Sequence, residues 1–218
     1  MTYPCTWSSV ARPWDDGITW RSNLVTKPDA EPLDVAYVYQ EVLHGANGVV
    51  EDNHVSALIK AARELFEQDT GIVLMPQTWE LILSGFPASG EILLDKLPVI
   101  AVDSVAYLDA DGASQALIGS PAEYQFIPSG DGVRARILPL VDASFPDTQA
   151  VRDAVTIQYQ AGYADRSDIP ERYLQGMALV VGELYKQRSL SVQGLISTPS
   201  ALRLERFWRS TYPLGGIW

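Results

Sequence analysis

The sequence predicts an α+β fold in which helical segments flank a region of short antiparallel strands. Apolar residues recur at helical spacing over 35–43, 52–66 and 170–185, and they alternate with a period of two between 73 and about 160. Glycine and proline punctuate that middle region at short intervals, as turns between brief strands require. With 218 residues, 47% hydrophobic and 20% charged, the chain can bury a sizeable core.

Residues 1–30 carry Trp7, Trp14 and Trp20 among Pro4, Pro13, Gly17 and Pro28 without a helical or strand period, and read as an irregular N-terminal arm. A segment that cannot form its own core must bury such residues on the body of the protein or on a neighbour. The stretch 31–72 reads as helical. Asp34 is a suitable N-cap before Val35, Val38, Val42 and Leu43, and Asp52 can cap a longer helix. The apolar stripe of the longer helix is Val55, Leu58, Ile59, Ala62, Leu65 and Phe66, with Gly71 as its stop.

Over 73–164 the alternation argues for an antiparallel β domain. Thr78 to Leu83 and Ser104 to Tyr107 are strand-like, and Asp109-Ala110-Asp111-Gly112 ends in an Asp-Gly hairpin signal. Val133, Ala135 and Ile137 alternate with Arg134 and Arg136, and Val155, Ile157 and Tyr159 with Thr156, Gln158 and Gln160. Helical spacing returns over 165–190. Pro170 suits a first turn, and Tyr173, Leu174, Met177, Val180, Val181, Leu184 and Tyr185 form a stripe ending at Lys186 and Arg188. The stretch 191–218 reads as a short helix that Ser200 can cap, followed by a loose apolar tail.

Charge narrows the function. Sixteen Lys and Arg against 27 Asp and Glu give a net charge of -11, which repels phosphates and anionic membrane faces. The surplus acid lies in 31–165, whereas 166–218 carries seven basic residues against four acidic ones. No apolar run approaches the roughly 18 residues of a membrane span, the longest being Met177 to Val181. A single cysteine, Cys5, and a start without basic and apolar regions are expected of an intracellular chain.

Chemistry is hard to place. His44, His54 and Cys5 stand at no metal-ligand spacing, so neither a metal nor a cofactor is expected. The Asp109, Asp111, Gly112 run lacks the first and last ligands of a calcium loop. Gly130-Asp131-Gly132 with Ala135 matches a dinucleotide fingerprint but precedes a strand instead of opening a helix. No nucleophile elbow or phosphate-binding loop is present. No catalytic residues are assigned, and an enzyme is not expected. An acidic β-domain hydrolase or carbohydrate-binding module stays as a lesser reading, with Trp79 and Tyr107 as the residues to inspect.

The order of features is more telling than any one. Leu24-Val25-Thr26-Lys27-Pro28, Glu31-Pro32-Leu33-Asp34, the helix with Ile59 to Glu64, Thr70-Gly71, Gln77-Thr78-Trp79-Glu80-Leu81 and Phe86-Pro87 follow one another. Then come Leu97-Pro98-Val99, Tyr107 to Gly112, Val155-Thr156, Ala161-Gly162-Tyr163, Ile169-Pro170 and Leu184 to Arg188. This ordered set resembles the head-to-tail connector (adaptor) proteins of tailed bacteriophages over about residues 24–190.

That resemblance implies an α-helical bundle, the connector core of 31–72 and 165–190, carrying the inserted β domain of 73–164. It also implies a dodecameric ring of identical subunits in the virion neck, assembled from protein made in the host bacterial cytoplasm. The ring would sit under the portal protein, extend the DNA channel, and offer a platform to a stopper or tail-completion protein, without catalysis. An acidic lumen suits such a conduit because it holds no attractive contacts with DNA.

The basic, aromatic C-terminal segment has the composition of interface hot spots, so Arg203, Arg206, Trp208, Arg209 and Trp218 are the expected portal contacts. Leu202, Phe207 and Trp208 can equally pack on the protein's own body. Trp7, Trp14 and Trp20 are expected to meet a neighbouring subunit or a tail protein. A head-closure or tail-terminator component of the neck is the alternative role.

Overall fold

A computed structural model describes residues 17–43, 49–129 and 134–186. These residues divide into two compact units, one of 26–77 with 161–186 and the other of 17–25 with 78–160. We call them the helical unit and the β unit.

In the helical unit, Asp34 ends extended backbone (φ -81°, ψ 145°) and the chain turns into α1 (Val35–Tyr37). One turn of α-helix then widens into a π-helix over Val38–Val42. The Asp34 carbonyl accepts from Val38 N at 3.1 Å, but its side chain makes no cap bond and instead accepts from Arg166 Nη1 at 2.9 Å. The long helix α2 (Val49–Thr70) begins before Asp52 and stops where Gly71, at φ 67°, donates to the Glu67 carbonyl. Of its expected stripe, Val55, Ile59, Ala62 and Phe66 are buried, whereas Leu65 is exposed. Helix α3 (Glu171–Lys186) starts directly after Pro170 and buries Tyr173, Leu174, Met177, Val180 and Val181. The two long helices pack together, with Phe66 and Tyr173 rings 5.3 Å apart.

The expected α-helical bundle is not found. Among the described residues only α2 and α3 exceed a single α-helical turn, and extended segments supplying Leu33, Ile72, Leu74 and Ile169 complete their core. Two helices cover each other along one stripe only, so strand-flanking chain must close the remaining sides. The predominant architecture is antiparallel sheet.

The β unit holds most of eight strands. A five-stranded sheet orders β1 (Trp20–Thr26), β2 (Gln77–Leu83), β8 (Val155–Ala161), β4 (Val99–Leu108) and β5 (Ser114–Leu117) from edge to edge. A three-stranded sheet orders β3 (Ile92–Leu93), β7 (Arg136–Pro139) and β6 (Tyr124–Ile127), antiparallel throughout, with Ile137 opposite both Ile92 and Phe126. The period-two reading of β8 holds in detail: Val155, Ile157 and Tyr159 are buried while the residues between them are less so.

The Asp-Gly hairpin also forms, joining β4 to β5 in antiparallel register from Leu108 opposite Ser114 to Val105 opposite Leu117. Its tip is fixed twice, since Asp109 Oδ1 accepts from the Asp111 and Ala113 amides and Gly112 takes φ 84°. Residues 20–26, assigned from sequence to an irregular arm, are instead the edge strand β1. Their apolar residues sit at no strand period because nearly every side chain of β1 is exposed on both faces, so no alternation was imposed.

Candidate functional site

The two units handle charge differently, and this separates structural polar groups from available ones. In the helical unit Arg63 is buried on α2, where its Nε donates to Glu31 Oε2 at 2.8 Å and its Nη1 to Glu67 Oε2 at 2.7 Å. Glu67 also accepts from the Leu74 amide at 3.1 Å and from Gln77 Nε2 at 2.9 Å. Burial pushes the Glu67 carboxyl above its ordinary range, against the opposing pull of Arg63, Gln77 and the Leu74 amide. Burial alone would lower the Arg63 pKa, yet the hydrogen bond to Glu31 and the charges of Glu67 and Glu31 raise it overall. The members bind one another, so the cluster ties α2 to the segments on either side of it, while Gln77 Oε1 is buried without a hydrogen-bond partner among the described residues.

The β unit has a comparable hub at Asp95. Its Oδ1 accepts from Ser22 Oγ at 2.6 Å and Tyr159 Oη at 2.9 Å, which fastens edge strand β1 to central strand β8. Burial, with the Asp95 charge beside it, holds the Tyr159 hydroxyl far above the ordinary tyrosine range. Lys96 Nζ lies 3.7 Å from Asp95 Oδ2 and 4.6 Å above the Trp79 ring. Tyr107 packs on Phe86 at 5.6 Å, and Phe86 stacks on Phe145 at 4.6 Å. The two aromatic residues of the carbohydrate reading, Trp79 and Tyr107, thus have faces already taken by neighbours of the same unit. Among the described residues, no group of three His, Cys, Asp or Glu is placed to hold a metal ion, and no helix is long and apolar enough to cross a membrane.

Apolar residues stand outward at the margins of the β unit, as Leu65 and Leu179 do on the helical unit. Leu24 and Val25 project from β1, Ile118 follows β5 at 65% exposure, and Val141 lies in the loop after β7 at 83%. Strands β1 and β5 are the two edges of the same sheet. Of the residues expected to meet partners, Trp20 lies on β1, partly exposed. Trp7, Trp14, Arg203, Arg206, Trp208, Arg209 and Trp218 all lie outside the described residues. The edge surfaces went unnoticed in the sequence, where the only available signal was the Leu24-Val25 pair in a stretch without helical period.

Three solved structures of similar fold come from gene transfer agent particles. A chain from the neck of an empty gene transfer agent particle, computed with C6 symmetry, aligns with a TM-score of 0.68 and 25% identity, covering 91% of this chain and 100% of that one. A chain from the virion of the native gene transfer agent particle gives 0.67 and 24%, over 90% and 99%. One from the neck of the native particle, computed with C12 symmetry, gives 0.62 and 21%, over 91% and 100%. No protein-family model matches the chain, and no curated protein matches it.

Proposed function

We propose that the chain is a structural protein of the neck of a phage-like particle, where it acts as the head-to-tail connector. The observation that supports this most is the end-to-end correspondence of fold with the neck chain, 91% of one against 100% of the other. The virion neck is therefore its location.

In the finer reading, identical subunits close into a ring under the portal protein, the ring prolongs the DNA channel, and its far side receives a stopper or tail-completion protein. The C6 and C12 symmetries of the similar necks favour a cyclic arrangement of copies. The net charge of -11 favours a lumen along which DNA slides without binding. Arg203, Arg206, Trp208, Arg209 and Trp218 are assigned to the portal, and Trp7, Trp14 and Trp20 to a neighbouring subunit or the tail.

Electron microscopy of the purified chain with and without portal rings tests the assignment. The expected image is a ring of copies stacked coaxially on the portal; a chain that neither forms rings nor decorates the portal overturns it. Co-sedimentation then tests the contacts. Deleting the residues after Ser210, or replacing Arg203, Arg206 and Arg209 by Glu, should abolish portal binding, and undiminished binding removes that role.

A further inference from the structure

From the two edge strands of the five-stranded sheet we infer the contact between copies: the β1 edge of one subunit pairs, backbone to backbone, with the β5 edge of the next. This rests on the ring reading above and specifies its interface. A cyclic ring needs two different, mutually complementary surfaces on each subunit, because its contacts are head-to-tail and not self-complementary. The sheet provides such a pair, with β1 closing one side and β5 the other, and among the described residues no further strand lies beyond either.

Charge and chemistry favour these margins over others. Copies of a chain with 27 Asp and Glu repel one another, so a meeting surface should be free of acid. Neither β1 (WRSNLVT) nor β5 (SQAL) contains an acidic residue. Neither contains a proline or a lysine, the residues with which monomeric proteins protect exposed edges. The one cation, Arg21, is already paired with Asp153 at 2.9 Å in the same subunit. Each edge adds apolar side chains: Leu24 and Val25 on β1, Ala116 on β5, and Ile118 just after it, where the Ile118 amide already donates to Glu123 Oε2. Backbone pairing of this type supplies affinity while flanking side chains fix register.

The hairpin geometry identifies which β5 groups point outward. Asp109 N donates to Ala113 O at 3.0 Å, and the alternation of an antiparallel ladder then makes Tyr107 with Gln115, and Val105 with Leu117, the hydrogen-bonded pairs. The N–H and C=O groups of Ser114 and Ala116 therefore face away from β4. Ala116→Pro deletes one outward donor and no bond of the subunit's own ladder.

The test uses the full chain. Analytical ultracentrifugation across a concentration range should show the parent assembling into closed oligomers, and both Ala116→Pro and Leu24→Lys/Val25→Lys remaining monomeric with the parent's circular dichroism. Amide hydrogen exchange of peptides spanning 19–26 and 110–118 should slow at least tenfold in the assembled parent relative to its dispersed subunit. Rings that persist in both variants overturn the edge pairing and leave the ring reading standing. Slow exchange already present in the dispersed subunit would give the edges to other segments of the same chain, and also overturns it. A parent that stays monomeric at every concentration and with portal present removes the ring reading itself.

Discussion

The helical unit hides charge, whereas the β unit leaves apolar surface outside. Arg63 and its polar partners Glu31, Glu67 and Gln77 bind one another, and most apolar residues of α2 and α3 turn inward onto a single core, though Leu65 and Leu179 are exposed. In the β unit the interior is equally dry around Leu81, Ile137, Ile157 and Tyr159, yet Leu24, Val25, Ile118 and Val141 stay in water. Scattered exposed apolar residues are ordinary on any protein, but two of these groups coincide with open sheet edges, where association has the most to gain. The contrast teaches that the helical unit is arranged to hold its shape and the β unit to meet something.

The largest expected effect breaks the sealed side of this contrast. Arg63→Met should cost about 3–5 kcal/mol in chemical denaturation, because it leaves Glu67 buried without its cation. The pH dependence of that loss has a definite sign. Burial holds the folded-state Glu67 carboxyl above the ordinary value of 4.5, so its favourable contribution is complete below 4.5 and is lost as pH rises through the folded value. The variant should therefore recover stability on acidification. A loss independent of pH between the two values would assign the damage to lost packing instead.

Gly162→Ala comes next. With φ at 127°, an added Cβ would meet the Met75 carbonyl group and the Pro76 nitrogen at under 3 Å, where backbone cannot yield cheaply. A loss of about 1–3 kcal/mol is expected, read from the denaturation midpoint. Tyr159→Phe probes the β unit in the same way. It removes the hydroxyl that donates to Asp95 and leaves Ser22, among the described residues, as the side chain that donates to that Oδ1, at a cost of about 1.5–3 kcal/mol. If β1 is fastened through this hub, the variant should also raise hydrogen exchange in residues 20–26.

The smallest effect sharpens the comparison at the surface. Asp109 is partly exposed at the hairpin tip, and its carboxyl is held below its ordinary value first by Gln115 and then by the Ala113 amide. Its contribution to the hairpin is present above the ordinary value of 3.8 and is lost as pH falls through the depressed folded value. Exchange protection of 109–117 should fade under strong acid in the parent and be insensitive to the same acidification in Asp109→Ala.

Much of the fold was legible because burial imposed a period. The stripes of α2 and α3 and the alternation of β8 survive in the sequence since each residue faces either core or water. The Asp109 to Gly112 hairpin was readable for a different reason, a turn that only certain residues accept. What failed was the α-helical bundle that the family resemblance implied. A stripe states that a helix is covered, and it is silent on whether another helix or an extended strand such as 72–74 provides the cover. Strand β1 was missed because an edge exposed on both faces carries no pattern. Of the candidate site, the residues in the terminal segments lie outside the described chain, and the edge pair became visible only once strand order was known.

The helical unit is assembled from two stretches of chain separated by nearly the whole β unit, since α2 ends at Thr70 and its partner α3 begins at Glu171. A ribosome therefore delivers Val55, Ile59, Ala62 and Phe66 long before it delivers the residues that shelter them. During that interval the β unit can fold, while the first helix waits uncovered, at risk of sticking to its counterparts on neighbouring nascent chains. Production of the protein in quantity should accordingly be limited by the time taken to translate 71–170, and slower growth or a holding chaperone should raise the soluble yield.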